Sequence, residues 1–453
     1  MYVFGISDTC RIQTELSPHP PLGKWLIAAG IRIFGYRSGG WRVASLVAGT
    51  LTVVLVYLLA RRLMHSLPAA VVSSGALAVD FLHFVHSRIA MLDVFLTMFV
   101  VAAFLFAVLD VEARNRDVPR RGRSLRENIW ARRWRLAAGG AAGAAVATKW
   151  AGVPILLAII GFTLVREVEA EARRSGERGS LLLTIKQESL SMVAGFVLLP
   201  AAIYMVSYLG RIDGSLLSWP WAEGAWIRQF IHRQVEMAQF HAAAADSPHL
   251  YASPAWSWPL LKRPVLYFFQ SPGNRYQVIL ALGSPLVWSA SLGGLLYTAV
   301  RWIKGSRASG EGVILLAFLA SWVPWILLSV SRTYMFLFYF LPAVPFMGMS
   351  LGYVLLDLWR VRSVLARGIV AIVCVGALSA FVFYYPVLGA VPIDRESWET
   401  RVLFRDCGRI PEGTGASPAP VASITPGEQP DAPGAYPEAF LREGEPPSGW
   451  CWI

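Results

Sequence analysis

Charged side chains are scarce in this sequence. They make up 15% of its 453 residues, against about 25% in an ordinary soluble domain, while 55% are hydrophobic and 12% aromatic. That deficit excludes a water-soluble globular chain and predicts a polytopic, all-α membrane protein. Cysteine is scarce too. The four cysteines form no C-x-x-C pair, which excludes a disulfide-knit scaffold and the common zinc and redox motifs; no metal site is expected. Cys374 lies in an apolar run and is expected to be a packed thiol, whereas Cys407 and Cys451 share the final polar segment, where they are free to pair if it is extracytoplasmic. Met1–Pro21 has no basic n-region and no cleavage site, so no signal peptide is expected. The absence of an internal repeat argues against a transporter built from inverted halves.

What the sequence has in abundance is apolar runs of spanning length. They fall at 43–60, 67–85, 89–109, 189–210, 276–300, 312–331, 333–356 and 368–393, with a longer stretch at 136–165. The net charge of +12 would elsewhere suggest a nucleic-acid partner, but its distribution follows membrane topology and no nucleic acid is expected. Five intervals (61–66, 110–135, 166–188, 301–311 and 357–367) hold 22 of the 41 Lys and Arg, nine of them arginines of 110–135. The positive-inside rule puts all five on the cytoplasmic side. They share one side only if 136–165 crosses twice, as two short helices broken at Thr148-Lys149-Trp150. Ten crossings result. Residues 1–42, the turns at 86–88, 148–150 and 332, the loop 211–275 and the tail 394–453 then lie outside. The domain plan is an external segment 1–42 with an interfacial helix, a transmembrane domain 43–393, and a Pro-rich acidic tail 394–453. Nine prolines between 411 and 450, and seven acids against three bases from 404 onward, predict that most of the tail is unstructured.

Ionisable groups at a bilayer are costly, so each is a candidate for function. Three prolines around His19 forbid helix until Leu22, and from there Trp25, Leu26, Ala29 and Ile33 against Lys24, Arg32 and Arg37 make an amphipathic interfacial helix. His19, Lys24, Arg88, Asp93, Lys149, Arg263 and Arg332 all map to external ends of spans and are expected to line one cavity. Converging cations of this kind suit a lipid-linked phosphate. Plainer roles stand beside that one: Lys24 and Arg332 as snorkelling anchors, and Asp93 as a partner of Arg88 or a charge at a helix N-terminus.

The stretch His19-Pro20-Pro21-Leu22-Gly23-Lys24 resembles the HPPLGK signature of the protein O-mannosyltransferases, membrane glycosyltransferases of the GT-C superfamily. Ser87–Asp93 is similar to the family form S-R-x-x-x-L-D, and Thr148–Gly152 to T-K-W-x-G. In 237–263, Phe240-His241, Tyr251-Ala252-Ser253 and Trp258-Pro259 match, while the usual His-Pro-Tyr reads Pro248-His249-Leu250-Tyr251. The resemblance covers about residues 17–393. It implies a GT-C helical bundle on the plasma membrane with an extracytoplasmic active site. The implied reaction moves mannose, with inversion, from polyprenyl phosphate mannose to Ser or Thr of secreted polypeptides presented by the secretion translocon. That donor is a substrate and no cofactor is expected. The implied substrate-binding residues are His19, Lys24, Arg88, Asp93, Lys149, Trp150, His241, Trp258, Arg263 and Arg332. Loop 211–275 is too short for the MIR domain of eukaryotic members, so the likeness is to the bacterial branch.

One departure concerns the base. Family members carry an Asp-Glu pair upstream of HPPLGK, after a first helix, and its aspartate is taken to activate the acceptor hydroxyl. Before His19 only Asp8 and Glu15 are acidic. The expectation is a chain that starts late and, as written, binds donor but transfers poorly, with Asp93 the first alternative base. The other readings are a transferase of another lipid-linked sugar and a silent partner of a complete paralogue.

Overall fold

A computed structural model describes residues 18–116, 131–175, 188–209, 226–245, 249, 251–270, 275–305 and 310–401. Asp8, Glu15, Cys407, Cys451 and most of the tail, with the expectations that rest on them, lie outside the described residues.

The prolines delay the first helix as expected, and α1 runs over Leu22–Phe34. It turns at Gly35, whose φ of +82° is a left-handed-side conformation that favours glycine, into α2 (Ser38–Met64). The run expected at 67–85 is two helices, α3 (Leu67–Ala78) and α4 (Phe81–His86). Asp80 breaks it by capping α4, its carboxylate accepting from the His83 N–H at 3.0 Å. The same carboxylate accepts from Trp288 Nε1 at 2.6 Å, tying the break to a later helix. There follow α5 (Leu92–Arg116), α6 (Arg133–Thr148) and α7 (Val153–Ser175). Next come α8 (Glu188–Val206), with a π-turn at Ala194–Leu198, and α9 (Trp226–Ala243). The C-terminal half adds α10 (Pro285–Lys304), α11 (Gly310–Leu328), α12 (Val344–Arg360), α13 (Val364–Gly389) and the short α14 (Arg395–Glu399).

The expected crossing at 276–300 needs correction. Val265–Gln270 (β1) and Arg275–Ala281 (β2) form an antiparallel hairpin, and the helix starts only at Pro285. The physical reason is composition: Val-Leu-Tyr-Phe-Phe and Tyr-Gln-Val-Ile-Leu are β-branched and aromatic runs that suit strands. Pro285 then sets the first turn of α10. A two-residue strand β3 (Ile393–Asp394) pairs with Arg275 and Tyr276. Cys374 is also corrected, since it is exposed on the surface of α13 rather than packed.

Among the described residues, seven helices are long and apolar enough to cross a bilayer. The other three crossings expected fall on α3 with α4, on α6, and on α10. Helices in lipid gain little from the hydrophobic effect between themselves and depend on close packing. The small residues of α6 supply it: a Cβ on Gly139 would sit 1.7 Å from the Gly195 carbonyl oxygen, and one on Gly143 2.6 Å from Pro200 Cα. At one end of the bundle the termini are knitted by charge. Arg135, fully buried, reaches Asp110 (3.3 Å), Glu167 (2.6 Å) and Glu188 (2.7 Å), joining α5, α6, α7 and α8. Arg301 joins Glu311 (2.9 Å) and Asp357 across α10, α11 and α12. The candidate site gathers at the opposite helix ends.

Candidate active site

Lys149 sits where α6 stops. Thr148 ends the helix, Lys149 takes an extended backbone conformation (φ −151°, ψ 142°), and a 3-10 turn at Trp150–Gly152 starts the next one. A Cβ on Gly152 would meet the Ala145 backbone at 2.5 Å, so this tight reversal requires glycine. The break expected at Thr148-Lys149-Trp150 is therefore present, and it points a lysine inward. Its Nζ lies 2.9 Å from Asp93 Oδ1 in the first turn of α5; both side chains are at most 5% exposed. Asp93 thus pairs with Lys149, not with Arg88. The ammonium also lies 4.4 Å from the Tyr339 ring centroid, within cation–π range.

Gly23 explains how the proline-rich stretch reaches this pair. A Cβ there would lie 2.7 Å from Leu92 Cδ2 and 3.0 Å from Thr148 Cγ2. Glycine lets α1 seat on the first residue of α5 and the last of α6, the neighbours of Asp93 and Lys149. Trp25 Nε1 fixes α1 by donating to the Ser207 carbonyl at 2.8 Å. His19 then lies tilted against His241 (ring centroids 5.6 Å apart), and His241 against Trp150 (5.8 Å). His241 Nε2 bonds the Pro18 carbonyl at 2.8 Å. Trp150 Nε1 donates to Tyr204, whose hydroxyl donates to Gln234 at 2.6 Å, so α7, α8 and α9 are linked behind it.

The charges of the group act on one another. Burial first, and then the positive charges of Lys149, His241, Lys24 and Arg332, hold the His19 imidazole well below its ordinary value. His241 is lowered by burial, then by Arg332, and also by Lys149. The loop after α9 is braced to the Arg332 turn, where the Thr333 and Tyr334 N–H groups both donate to the Ala245 carbonyl. Arg332 Nε donates to the Tyr334 carbonyl at 3.1 Å.

Of the ten residues expected at the site, the structure brings together His19, Lys24, Asp93, Lys149, Trp150, His241 and Arg332. Three stand apart, which corrects the expectation of a single lining. Arg88 lies over the Phe84 ring (5.0 Å) in a separate pocket with Arg37 and Arg42. The turn after α4 places Arg88 beside the start of α2, and among the described residues it makes no ion pair with Asp93. Trp258 is fully buried, its Nε1 donating to Ser253, and its ring packs edge-on to Tyr339 at 6.2 Å. It supports the ring beneath Lys149 and cannot meet a substrate. Arg263 is exposed at a turn with φ +55°.

Sequence reasoning missed the aromatic cradle. Tyr339 stacks on Trp325 (4.7 Å), and Phe338 on Phe336 (5.5 Å). His249 sits edge-on to Phe336 at 4.8 Å, so in this chain it packs against the same run. The hairpin contributes Tyr267, whose hydroxyl meets His86 Nε2 at 3.0 Å. The signal was the density of rings after Arg332, in Tyr334-Met335-Phe336-Leu337-Phe338-Tyr339-Phe340.

Residues 38–210 match the family model of dolichyl-phosphate-mannose-protein mannosyltransferases, and 226–406 that of the C-terminal four-helix membrane region of protein O-mannosyltransferases. A polyprenol-phosphate-mannose protein mannosyltransferase of Mycobacterium tuberculosis is 31% identical over 85% of this chain and 80% of its own. The chain belongs to the protein O-mannosyltransferase family. Another relative with the same designation, from Corynebacterium glutamicum, is 28% identical over 81% of this chain and 76% of its own. In fold the family member resembles the S. cerevisiae protein O-mannosyltransferase Pmt1-Pmt2 complex bound to the sugar donor, with a TM-score of 0.64 and 16% identity over 85% of each chain. The bundle is thus a GT-C fold of a multi-pass membrane glycosyltransferase.

Proposed function

We propose that this chain transfers mannose from polyprenyl phosphate mannose to Ser or Thr hydroxyls of polypeptides. The observation that carries the reading is the meeting of Lys149, Lys24, Arg332 and His241 around His19, with Lys149 paired to the buried Asp93. In the transfer a C1–oxygen bond to the acceptor forms as the C1–phosphate oxygen bond breaks, and the acceptor hydroxyl gives its proton to a carboxylate, Asp93 being the candidate among the described residues. The departing lipid phosphate needs positive charge placed in advance, which these residues supply. Asp93 orients Lys149 through their buried ion pair, and phosphate arrival lets the ammonium serve both anions. His19, neutral in the empty site, gains a proton as the phosphate enters. Trp150 and Tyr339 offer ring faces of the kind that pack against sugars and cations.

The site belongs, in this reading, on the extracytoplasmic face of the plasma membrane, with ten crossings. Supporting it, the basic ends of α2, α5, α10 and α12 (Arg62, Arg114, Arg301, Arg360) gather with the basic start of α6 (Arg132, Arg135) away from Lys149. Acceptors would reach the site as extended chain, and delivery from the secretion translocon suits an extracytoplasmic site. The test is radiolabelled polyprenyl phosphate mannose with a Ser/Thr-rich peptide and purified protein. Label in the peptide, released by β-elimination and accumulating slowly, is the expected result. Donor turnover into lipid or glycan alone would overturn the acceptor assignment.

A further inference from the structure

Arg88 has no place in the Lys149 group, yet its surroundings are not those of an idle surface charge. It shares a pocket of about 650 Å³ with Arg37 and Arg42, walled by Phe34, Val43 and Leu46. Neither Arg42 nor Arg88 forms an ion pair or side-chain hydrogen bond among the described residues, and Arg42 Nε and Arg88 Nη1 are both buried without a partner. Among the described residues no acidic side chain lines the pocket. Arg42 rests on the Trp41 ring at 4.4 Å and Arg88 on Phe84 at 5.0 Å, contacts that orient guanidinium groups without neutralising them.

Two like charges held together with unsatisfied N–H groups repel each other, and a fold keeps such an arrangement when an anion completes it. The pocket lies where α2 begins, at headgroup depth for a helix that crosses the bilayer. Phe34 and Leu46 are 46% and 55% exposed there, so an apolar chain leaving the pocket runs down the surface of the span. We infer that Arg37, Arg42 and Arg88 form a second anion site that takes the phosphate of a membrane lipid, separate from the donor position at Lys149. The guanidinium forks match phosphate oxygens, and Phe34, Val43 and Leu46 match the hydrocarbon next to them. Two lipids carry this chemistry, an anionic phospholipid and a polyprenyl phosphate.

Native mass spectrometry and thermal unfolding of the full chain in non-ionic detergent test the site, with phosphatidylglycerol, undecaprenyl phosphate, inorganic phosphate and phosphate-free diacylglycerol as probes. The expected result is saturable binding of one or both lipid phosphates, with a rise in Tm that diacylglycerol does not give. Arg42→Gln and Arg88→Gln should each weaken that binding by about tenfold or more, while their lipid-free Tm equals or exceeds that of the wild type because a repulsion is gone. Arg88→Lys, which keeps the charge but loses the fork, should bind at an intermediate level. Lys149→Gln should leave phosphatidylglycerol binding unchanged. Which lipid binds identifies the source of the phosphate. Absence of lipid-phosphate binding, or binding unchanged in both glutamine variants, overturns the inference.

Discussion

At the scale of residues, Lys149 and Asp93 depend on each other. Removing one partner of a buried ion pair leaves an uncompensated charge at a cost of about 3–5 kcal/mol. Asp93→Asn should therefore lower stability in detergent by that order, and polyprenyl phosphate should restore part of the loss by supplying the missing anion. Thermal unfolding with and without the lipid checks this. The histidines give a second prediction. Because the folded values of His19 and His241 are depressed, their contribution to stability is complete above the ordinary histidine value of about 6.5. It falls as pH drops through that value toward the folded ones. In 15N-histidine spectra both should titrate below about 6.5, and His19 should move upward when the lipid phosphate binds. Donor affinity should correspondingly rise between neutral and mildly acidic pH, which a binding titration at several pH values measures. These polar residues were legible in the sequence because charge is conspicuous in an apolar chain. The cradle of Tyr339, Phe338 and Trp325 was not, since rings that face a site read the same as rings that face lipid. Trp258 shows the converse. A motif match singled it out, but its burial gives it a supporting role.

At the scale of elements, the site depends on where helices stop. Thr148-Lys149-Trp150 marks a break that charge distribution alone revealed, because crossing twice was needed to keep the arginine-rich intervals together. The hairpin at 265–281 was hidden by its hydrophobicity, which a count of apolar residues reads as a crossing. Its β-branched and aromatic content was the available sign. Gly23 is the seat of α1, and Gly23→Leu should overpack the contact with Leu92 and Thr148, costing about 1–3 kcal/mol. The variant should lose much of its donor binding while its helix content, read by circular dichroism, stays unchanged. At the other end Arg135 holds Asp110, Glu167 and Glu188. Arg135→Met should destabilise the chain by about 3–5 kcal/mol without changing the donor affinity of the protein that remains folded, since the network lies at the opposite helix ends.

At the scale of the whole molecule, a membrane bundle separates two kinds of charge. Basic clusters paired with carboxylates hold one end, and Lys149, Lys24 and Arg332 gather at the other. The bundle itself was evident from apolar length. Its count was harder, because α3 and α6 are shorter than the seven helices that qualify as spans among the described residues, and α10, though 20 residues long, is less apolar. In a cysteine-free background, a membrane-impermeant thiol reagent should label Arg32→Cys and not Lys304→Cys in intact cells. The most direct measurement of the central claim is binding of labelled polyprenyl phosphate mannose to the purified chain and to Lys149→Gln, with Lys304→Gln as the control. The expected result is saturable binding by the wild type and the control, weakened by about tenfold or more in Lys149→Gln. Equal affinity in all three would place the donor elsewhere and contradict the assignment of the site.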